Sequence, residues 1–154
     1  MNEINLLITS AGRRVELVQC FQEAKRELGL AGNIVAADAS PIAPALFFAD
    51  KKYQICRIND ENYIGEIIQI CRDNHIHGII PTLDTELLKL AENKEKIETE
   101  SGAKVIISDA EVIKIFRNKY NTADFFLNNG FHAPKYYDLK NIKYETLCYP
   151  LFIK

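Results

Sequence analysis

Tryptophan is absent from this chain of 154 residues, methionine occurs once, and proline and glycine contribute only 5 and 7 residues. So little Pro and Gly excludes collagen-like and low-complexity chains. An excess of one charge is missing too: 19 Lys and Arg stand against 21 Asp and Glu, a formal balance of −2. Nucleic-acid binding rests on a basic stripe that neutralises phosphates and releases counterions, and none is present. No apolar run approaches the ~20 residues that cross a bilayer, and the start Met1-Asn2-Glu3-Ile4 does not lead through a basic region into a long apolar one. Nucleic acid and membrane are thus set aside as partners, and a cytoplasmic protein is expected. The four cysteines, Cys20, Cys56, Cys71 and Cys148, form no C-x-x-C pair and lie in apolar periodic segments, which reads as reduced core residues rather than metal ligands. What is present, 47% apolar and 26% charged residues, suits a folded globular chain able to bury about two-thirds of its unfolded surface, one domain plus an appendage.

Ile4 to Thr9 form a mostly apolar run that suits a strand covered on both faces, broken by Ser10-Ala11-Gly12. Val15, Val18, Phe21, Ala24 and Leu28 then recur at helical spacing, with Gly29 as a stop. Further strands are expected at Ile34–Asp38, Tyr53–Ile58, Gly78–Pro81 and Lys104–Ile107, and helices behind Asp60, over Leu87–Ile97, and after the S-x-x-E sequence Ser108–Glu111. The prolines Pro41 and Pro44 forbid a long helix after the second strand. Alternating strand and helix with short connections predicts a doubly wound, mainly parallel α/β sheet over residues 1–107. Residues 108–154 change grammar: two short helices around Val112–Phe116 and Thr122–Leu127, an extended segment near Lys135–Tyr137, and a terminal strand Tyr149–Lys154. A strand at a chain end leaves an edge that its own sheet or further chain must cover.

In doubly wound sheets, ligands bind outside the carboxyl ends of the strands. Three clusters fall there: Ser10-Ala11-Gly12-Arg13-Arg14, Asp38-Ala39-Ser40-Pro41, and Thr82-Leu83-Asp84-Thr85-Glu86. The first sets amides and two guanidiniums at a helix N-terminus, which favours an anion; alternatively these arginines pair with Glu3, Glu16 or Asp38. Asp84 and Glu86 facing Arg13 across the crevice would suit a small zwitterion such as an amino acid, yet both also serve as ordinary residues of a helix start. A dinucleotide site with Asp38 on a ribose competes, but its G-x-G-x-x-G loop is reduced to Gly12. His75, His77 and His132 are scattered and form no triad.

The runs Leu7-Ile8-Thr9-Ser10-Ala11-Gly12-Arg13-Arg14, Ala37-Asp38-Ala39-Ser40-Pro41-Ile42-Ala43-Pro44-Ala45 and Ile79-Ile80-Pro81-Thr82-Leu83-Asp84-Thr85-Glu86-Leu87 resemble the N-terminal, pre-ATP-grasp part of ATP-grasp ligases of the carbamoyl phosphate synthetase large subunit-like group. Asn118-Lys119-Tyr120-Asn121-Thr122 is similar to that family's D-K-x-x-T segment, with Asn118 in place of Asp. Asn129-Gly130-Phe131-His132-Ala133-Pro134 is similar to its N-G-[FI]-x-x-P turn, and Tyr149–Lys154 to the strand opening the ATP-grasp fold. The resemblance implies a Rossmann-like substrate-side domain followed by the start of an ATP-grasp domain, with Lys119 and Lys154 as contacts to ATP phosphates. It further implies a Mg²⁺- and ATP-dependent carboxylate–amine ligation through an acyl phosphate. The metal ligands belong to a later part of the family's fold, so the chain alone is expected to be inactive and its gene to continue past Lys154.

The expected pocket for a carboxylate or amino-acid-like substrate comprises Ser10, Arg13, Asp38, Thr82, Asp84 and Glu86, with the anionic end of the acceptor at the first loop. The expected partner is the rest of the ATP-grasp domain, and a homodimer is open. Two other readings stand beside this one: a Rossmann-like nucleotide-binding module that acts alone, and a non-catalytic domain pairing through its last strand.

Overall fold

A computed structural model describes residues 3–137 and 142–151. They form two compact units, a larger one up to Lys114 and a smaller one from Ile115. The larger unit alternates β1 (Leu6–Thr9), α1 (Val15–Glu27), β2 (Ile34–Asp38), a single 3₁₀ turn (Pro44–Phe47), β3 (Lys51–Gln54), α2 (Tyr63–Asp73), β4 (Gly78–Pro81), α3 (Asp84–Glu92), α4 (Lys94–Ser101) and β5 (Lys104–Val105). α5 (Ala110–Arg117) runs across the division.

All four strand pairings are parallel, in the order β3-β2-β1-β4-β5, with Leu6–Thr9 matched to Ile34–Ala37 on one side and to Gly78–Pro81 on the other. The sheet is the doubly wound α/β arrangement its alternation predicts, and its direction of winding reverses between β1 and β4. Side chains alternate across the pleat. Leu7, Val35, Ala37 and Ile79 meet Ile64, Ile67 and Cys71 of α2, Leu90 of α3 and Ile97 of α4. Ile8, Ile34 and Ala36 meet Val18 of α1 and Leu46 of the proline turn on the other face. Continuous apolar runs in β1, β2 and β4 follow from this double cover.

The departures from the sequence expectations share a cause in where apolar residues fall. β3 is shifted to Lys51–Gln54: as an edge strand it is mostly exposed and reads as polar, whereas Ile55 is buried in the loop that follows, its N–H on the Asp38 carbonyl. The helix expected over Leu87–Ile97 is two helices, broken at Asn93 (φ −111°, ψ 10°), whose side chain donates to the Lys89 carbonyl. β5 has two residues, and Ile106 beyond them is 59% exposed. Of the cysteines only Cys71 is buried, Cys56 is half-buried, and Cys20 and Cys148 are exposed; all four are free thiols.

The smaller unit holds α6 (Lys119–Asn128), capped by the Asn118 side chain, which accepts the Tyr120 and Asn121 N–H groups. Its aromatics meet edge to face, as in Phe116 with Phe125 at 5.3 Å and Tyr120 with Tyr136 at 4.9 Å. Tyr144–Thr146 form a 3₁₀ turn. Lys135–Tyr137 lie outside any strand. The terminal strand expected over Tyr149–Lys154 is not formed at Tyr149, Pro150 and Leu151, which lie outside any strand, and residues 152–154, Lys154 among them, lie outside the described residues.

Three positions test this architecture. Gly32 has φ +110°, and a Cβ there would press on the Ile4 backbone, with the Asn5 Oδ1 at 2.9 Å; Gly29 has φ +63° and open space around it. Gly32→Ala should destabilise by about 2–4 kcal/mol and Gly29→Ala by about 1 kcal/mol, read from denaturant midpoints. Asp50 accepts the Ile34 N–H at 2.7 Å, the Lys25 ammonium and the Gln22 amide. Burial by itself raises its carboxyl, but the Ile34 N–H and Lys25 outweigh it and hold the carboxyl below its ordinary 3.8. A depressed carboxyl contributes stability that is complete above its unfolded value and lost as pH falls through the folded one. Asp50→Asn should therefore flatten the loss of stability below about pH 4, measured by chemical denaturation across the acid range.

Candidate functional site

The loops after β1, β2, β3 and β4 converge on one crevice of about 530 Å³. Ser10, Gly12, Arg13 and Arg14 come from the first, and Asp38 with Ala39 from the second. The third contributes Ile55, Cys56, Arg57, Ile58 and Asn59, while Leu83 and Thr85 come from the fourth, with Tyr63 of α2 behind. Parallel strands ending together at a reversal of winding generate such a site.

The first loop is held in an unusual shape. Ser10 has φ +48°, the left-handed region that a residue with a Cβ occupies at a cost of about 1–2 kcal/mol. Ser10 Oγ donates to Glu86 Oε2 at 2.9 Å, and its carbonyl accepts Thr82 Oγ1 at 2.7 Å. The Gly12 N–H donates to Asp38 Oδ2 at 2.8 Å and the Gly12 carbonyl accepts the Ala45 N–H. The other oxygen of Asp38 accepts the Ser40 N–H at 2.8 Å. Asp38 thus ties two loops together through their backbone.

Glu86 is fully buried and accepts four donors: Ser10 Oγ, Tyr63 Oη at 2.6 Å, and the Thr82 and Leu83 N–H groups at 3.0 and 3.1 Å. Leu83 precedes α3 and has no side-chain acceptor, so Glu86 supplies the carboxylate half of a capping box there. Burial, and then the Glu86 carboxylate, push the Tyr63 phenol well above its usual range, which keeps it a proton donor.

Among the expected site residues, the structure brings Ser10, Arg13 and Asp38 to the crevice. Thr82 is half-buried with its hydroxyl spent on the Thr9 and Ser10 carbonyls. Glu86 does not face Arg13 across open space; its carboxylate is enclosed because four donors replace water around it. Asp84 is exposed as the first residue of α3. Lys119, in the smaller unit, is exposed as the first residue of α6.

Arg57 is the residue that sequence reasoning missed. Placing a strand over Tyr53–Ile58 hid it inside regular structure, whereas the strand ends at Gln54 and Arg57 stands in the loop. That loop is pinned by Lys89 of α3, whose ammonium donates to the Ile58 and Asp60 carbonyls. Cys56 beside it is no nucleophile at neutral pH: burial, then the Glu66 carboxylate, push its thiol up.

The family described as "PylC-like, N-terminal domain" matches residues 6–106, which include every loop of the crevice. The chain belongs to this PylC-like N-terminal domain family. Curated proteins yield no match. Among solved structures, this PylC-like domain is similar to pyruvate carboxylase from Rhizobium etli, with 20% identity and a TM-score of 0.56 over 88% of this chain and 13% of that one. It is also similar to N5-carboxyaminoimidazole synthetase from Staphylococcus aureus complexed with ADP, at 13% identity and a TM-score of 0.58 over 84% and 31% of the two chains. A third is the biotin carboxylase domain dimer of Hydrogenobacter thermophilus 2-oxoglutarate carboxylase with MgADP, ADP and bicarbonate, at 22% identity and a TM-score of 0.55 over 84% and 28%. At these identities the likeness is one of fold, the Rossmann-like pre-ATP-grasp fold of biotin carboxylase-like ATP-grasp proteins. The chain spans between 13% and 31% of the length of these three structures.

Removing the Glu86 carboxylate strands four donors. Glu86→Ala should cost about 3 kcal/mol or more and Tyr63→Phe about 1.5–3 kcal/mol, and the two effects should fall short of adding in a double-mutant cycle on urea unfolding.

Proposed function

We propose that this chain is the acceptor-side domain of an ATP-dependent carboxylate–amine ligase of the carbamoyl phosphate synthetase-like kind, working through an acyl phosphate and inactive without its ATP-grasp portion. The observation that carries the reading is the crevice at the reversal of the sheet, where Arg13 and Arg14 stand at the opening of α1 with no ion pair or hydrogen bond from either side chain to another described residue. The α1 N-terminus also lacks a side-chain cap. Free guanidiniums beside uncapped helix amides suit the anionic end of a small amino-acid-like or carboxylate substrate. Ser10, Arg13 and Asp38 would then shape its site, while Thr82 and Glu86 act as positioning residues for the Ser10 loop.

ATP would supply the phosphoryl group and Mg²⁺ the neutralisation of its charge in the complete enzyme. The described residues do not by themselves fit either: no cluster of three His, Cys, Asp or Glu side chains among them could hold a metal ion. The N-terminus of α6 beside Lys119 is already capped by Asn118. In this proposal Lys119 and Lys154 contact ATP phosphates only once the remaining ATP-grasp segments are in place. The reaction belongs to the cytoplasm, where ATP is at hand, and no helix of the described residues is long and apolar enough to cross a membrane. A dimer like that of the H. thermophilus biotin carboxylase domain is compatible with it. The competing nucleotide module is less favoured, because both Asp38 oxygens already accept backbone N–H groups.

In the complete protein, Arg13→Ala should raise the KM for the acceptor about tenfold with a smaller change in kcat, followed by ADP release. An unchanged KM removes Arg13 from the substrate site.

A further inference from the structure

The crevice holds a third cation that the proposed function does not use. Arg57 lines it from the loop after β3 and, like Arg13 and Arg14, makes no ion pair or hydrogen bond through its side chain with another described residue. Asp38 is the only carboxylate among the lining residues, and each of its oxygens already accepts an amide. The lining therefore carries three guanidiniums against one carboxylate, 3 − 1 = +2, inside a chain whose overall balance is −2. The carboxylate of Glu86, behind Ser10 and Tyr63, is saturated by its four donors. Cys56 and Tyr63 add no charge at neutral pH. Guanidiniums at the mouth of a partly apolar cleft repel one another and are brought together at a cost that an anion removes.

We infer that the crevice selects a small organic dianion, a phosphomonoester or a dicarboxylate, with Arg57 taking the second negative charge. This rests on the reading of the crevice as the acceptor site. Arg13 and Arg14 at the α1 N-terminus take one negative charge, and Arg57, from the loop after β3, takes the other. Ile55, Ile58 and Leu83 line the space for the carbon skeleton, and about 530 Å³ suits a ligand of metabolite size. Lys89 and the Asp60 N–H bond to the Arg57 carbonyl fix the loop, so the backbone that carries the third guanidinium is set before any ligand arrives.

The test uses the 154-residue chain labelled with ¹⁵N, at low ionic strength and pH 7.5, titrated separately with methyl phosphate, succinate and acetate. At least one dianion should shift the Gly12, Arg14 and Arg57 amides saturably and bind at least tenfold tighter than acetate. The stronger of the two dianions identifies the substrate as phosphomonoester or dicarboxylate. Arg57→Gln should bring the preferred dianion to the level of acetate, and Arg57→Lys should restore part of the preference. Because Arg57 is exposed, both variants should keep the native amide spectrum. Equal binding of acetate and both dianions, no saturable shift, or an Arg57→Gln variant that keeps the preference would overturn the inference. ATP-dependent turnover of the complete protein reads the ligase assignment separately. Turnover without dianion preference counts against this inference alone, and dianion preference without turnover counts against the ligase reading alone.

Discussion

Burying a carboxylate costs several kcal/mol unless donors replace the water it loses, and Glu86 meets that requirement with two hydroxyls and two backbone amides. The four donors come from three places: the loop after β1, the first residue of α2, and the entry to α3. No other side chain among the described residues joins so many elements at the carboxyl edge of the sheet. Its bond to Ser10 offsets the cost of a left-handed serine, and that serine sets the path by which Gly12, Arg13 and Arg14 enter α1. The shape of the crevice thus descends from one buried charge that never touches its interior.

Asp38 does the equivalent work on the other side, joining the loops after β1 and β2 through Gly12 and Ser40. Asp38 and Glu86, the acids of these loops with resolved partners, are in this way both committed to backbone and hydroxyl donors. A carboxylate held by amides has less to offer a guanidinium than a free one, and the arginines keep their capacity for an outside partner. The local charge of the crevice is a product of where the acids spend their hydrogen bonds, which counts of charged residues do not reveal.

The layout of the larger unit was legible in its sequence because β1, β2 and β4 are covered on both faces and so read as unbroken apolar runs, and because Gly12, Gly29 and Pro44 punctuate them. Edge strands were harder. β3 presents Lys51 and Lys52 to solvent, and the apolar Ile55, Cys56 and Ile58 that look like its continuation belong to a loop. That displacement is the reason Arg57 went unnoticed. Ser10, Arg13 and Asp38 could be nominated from the rule that sites gather at strand carboxyl ends, but the inward turn of Glu86 could not. An acid at the third position of a helix reads the same whether it faces water or a phenol donated from a residue 23 positions earlier, and Tyr63 carries no local signature of such a partnership.

The bond between Ser10 and Glu86 joins positions 76 residues apart. β1 can pair with β2 as soon as the first 38 residues exist, and Asp38 and Ala45 can then hold Gly12, yet the Ser10 part of the loop lacks its Thr82 and Glu86 partners until β4 and α3 have been made and packed. Contacts of such long sequence separation form late, since loop closure must precede their reward. A chain emerging residue by residue would therefore possess most of its central sheet before it possessed a binding crevice. On the proposed reading of the crevice, a ligand would bind the finished fold ahead of any shorter intermediate.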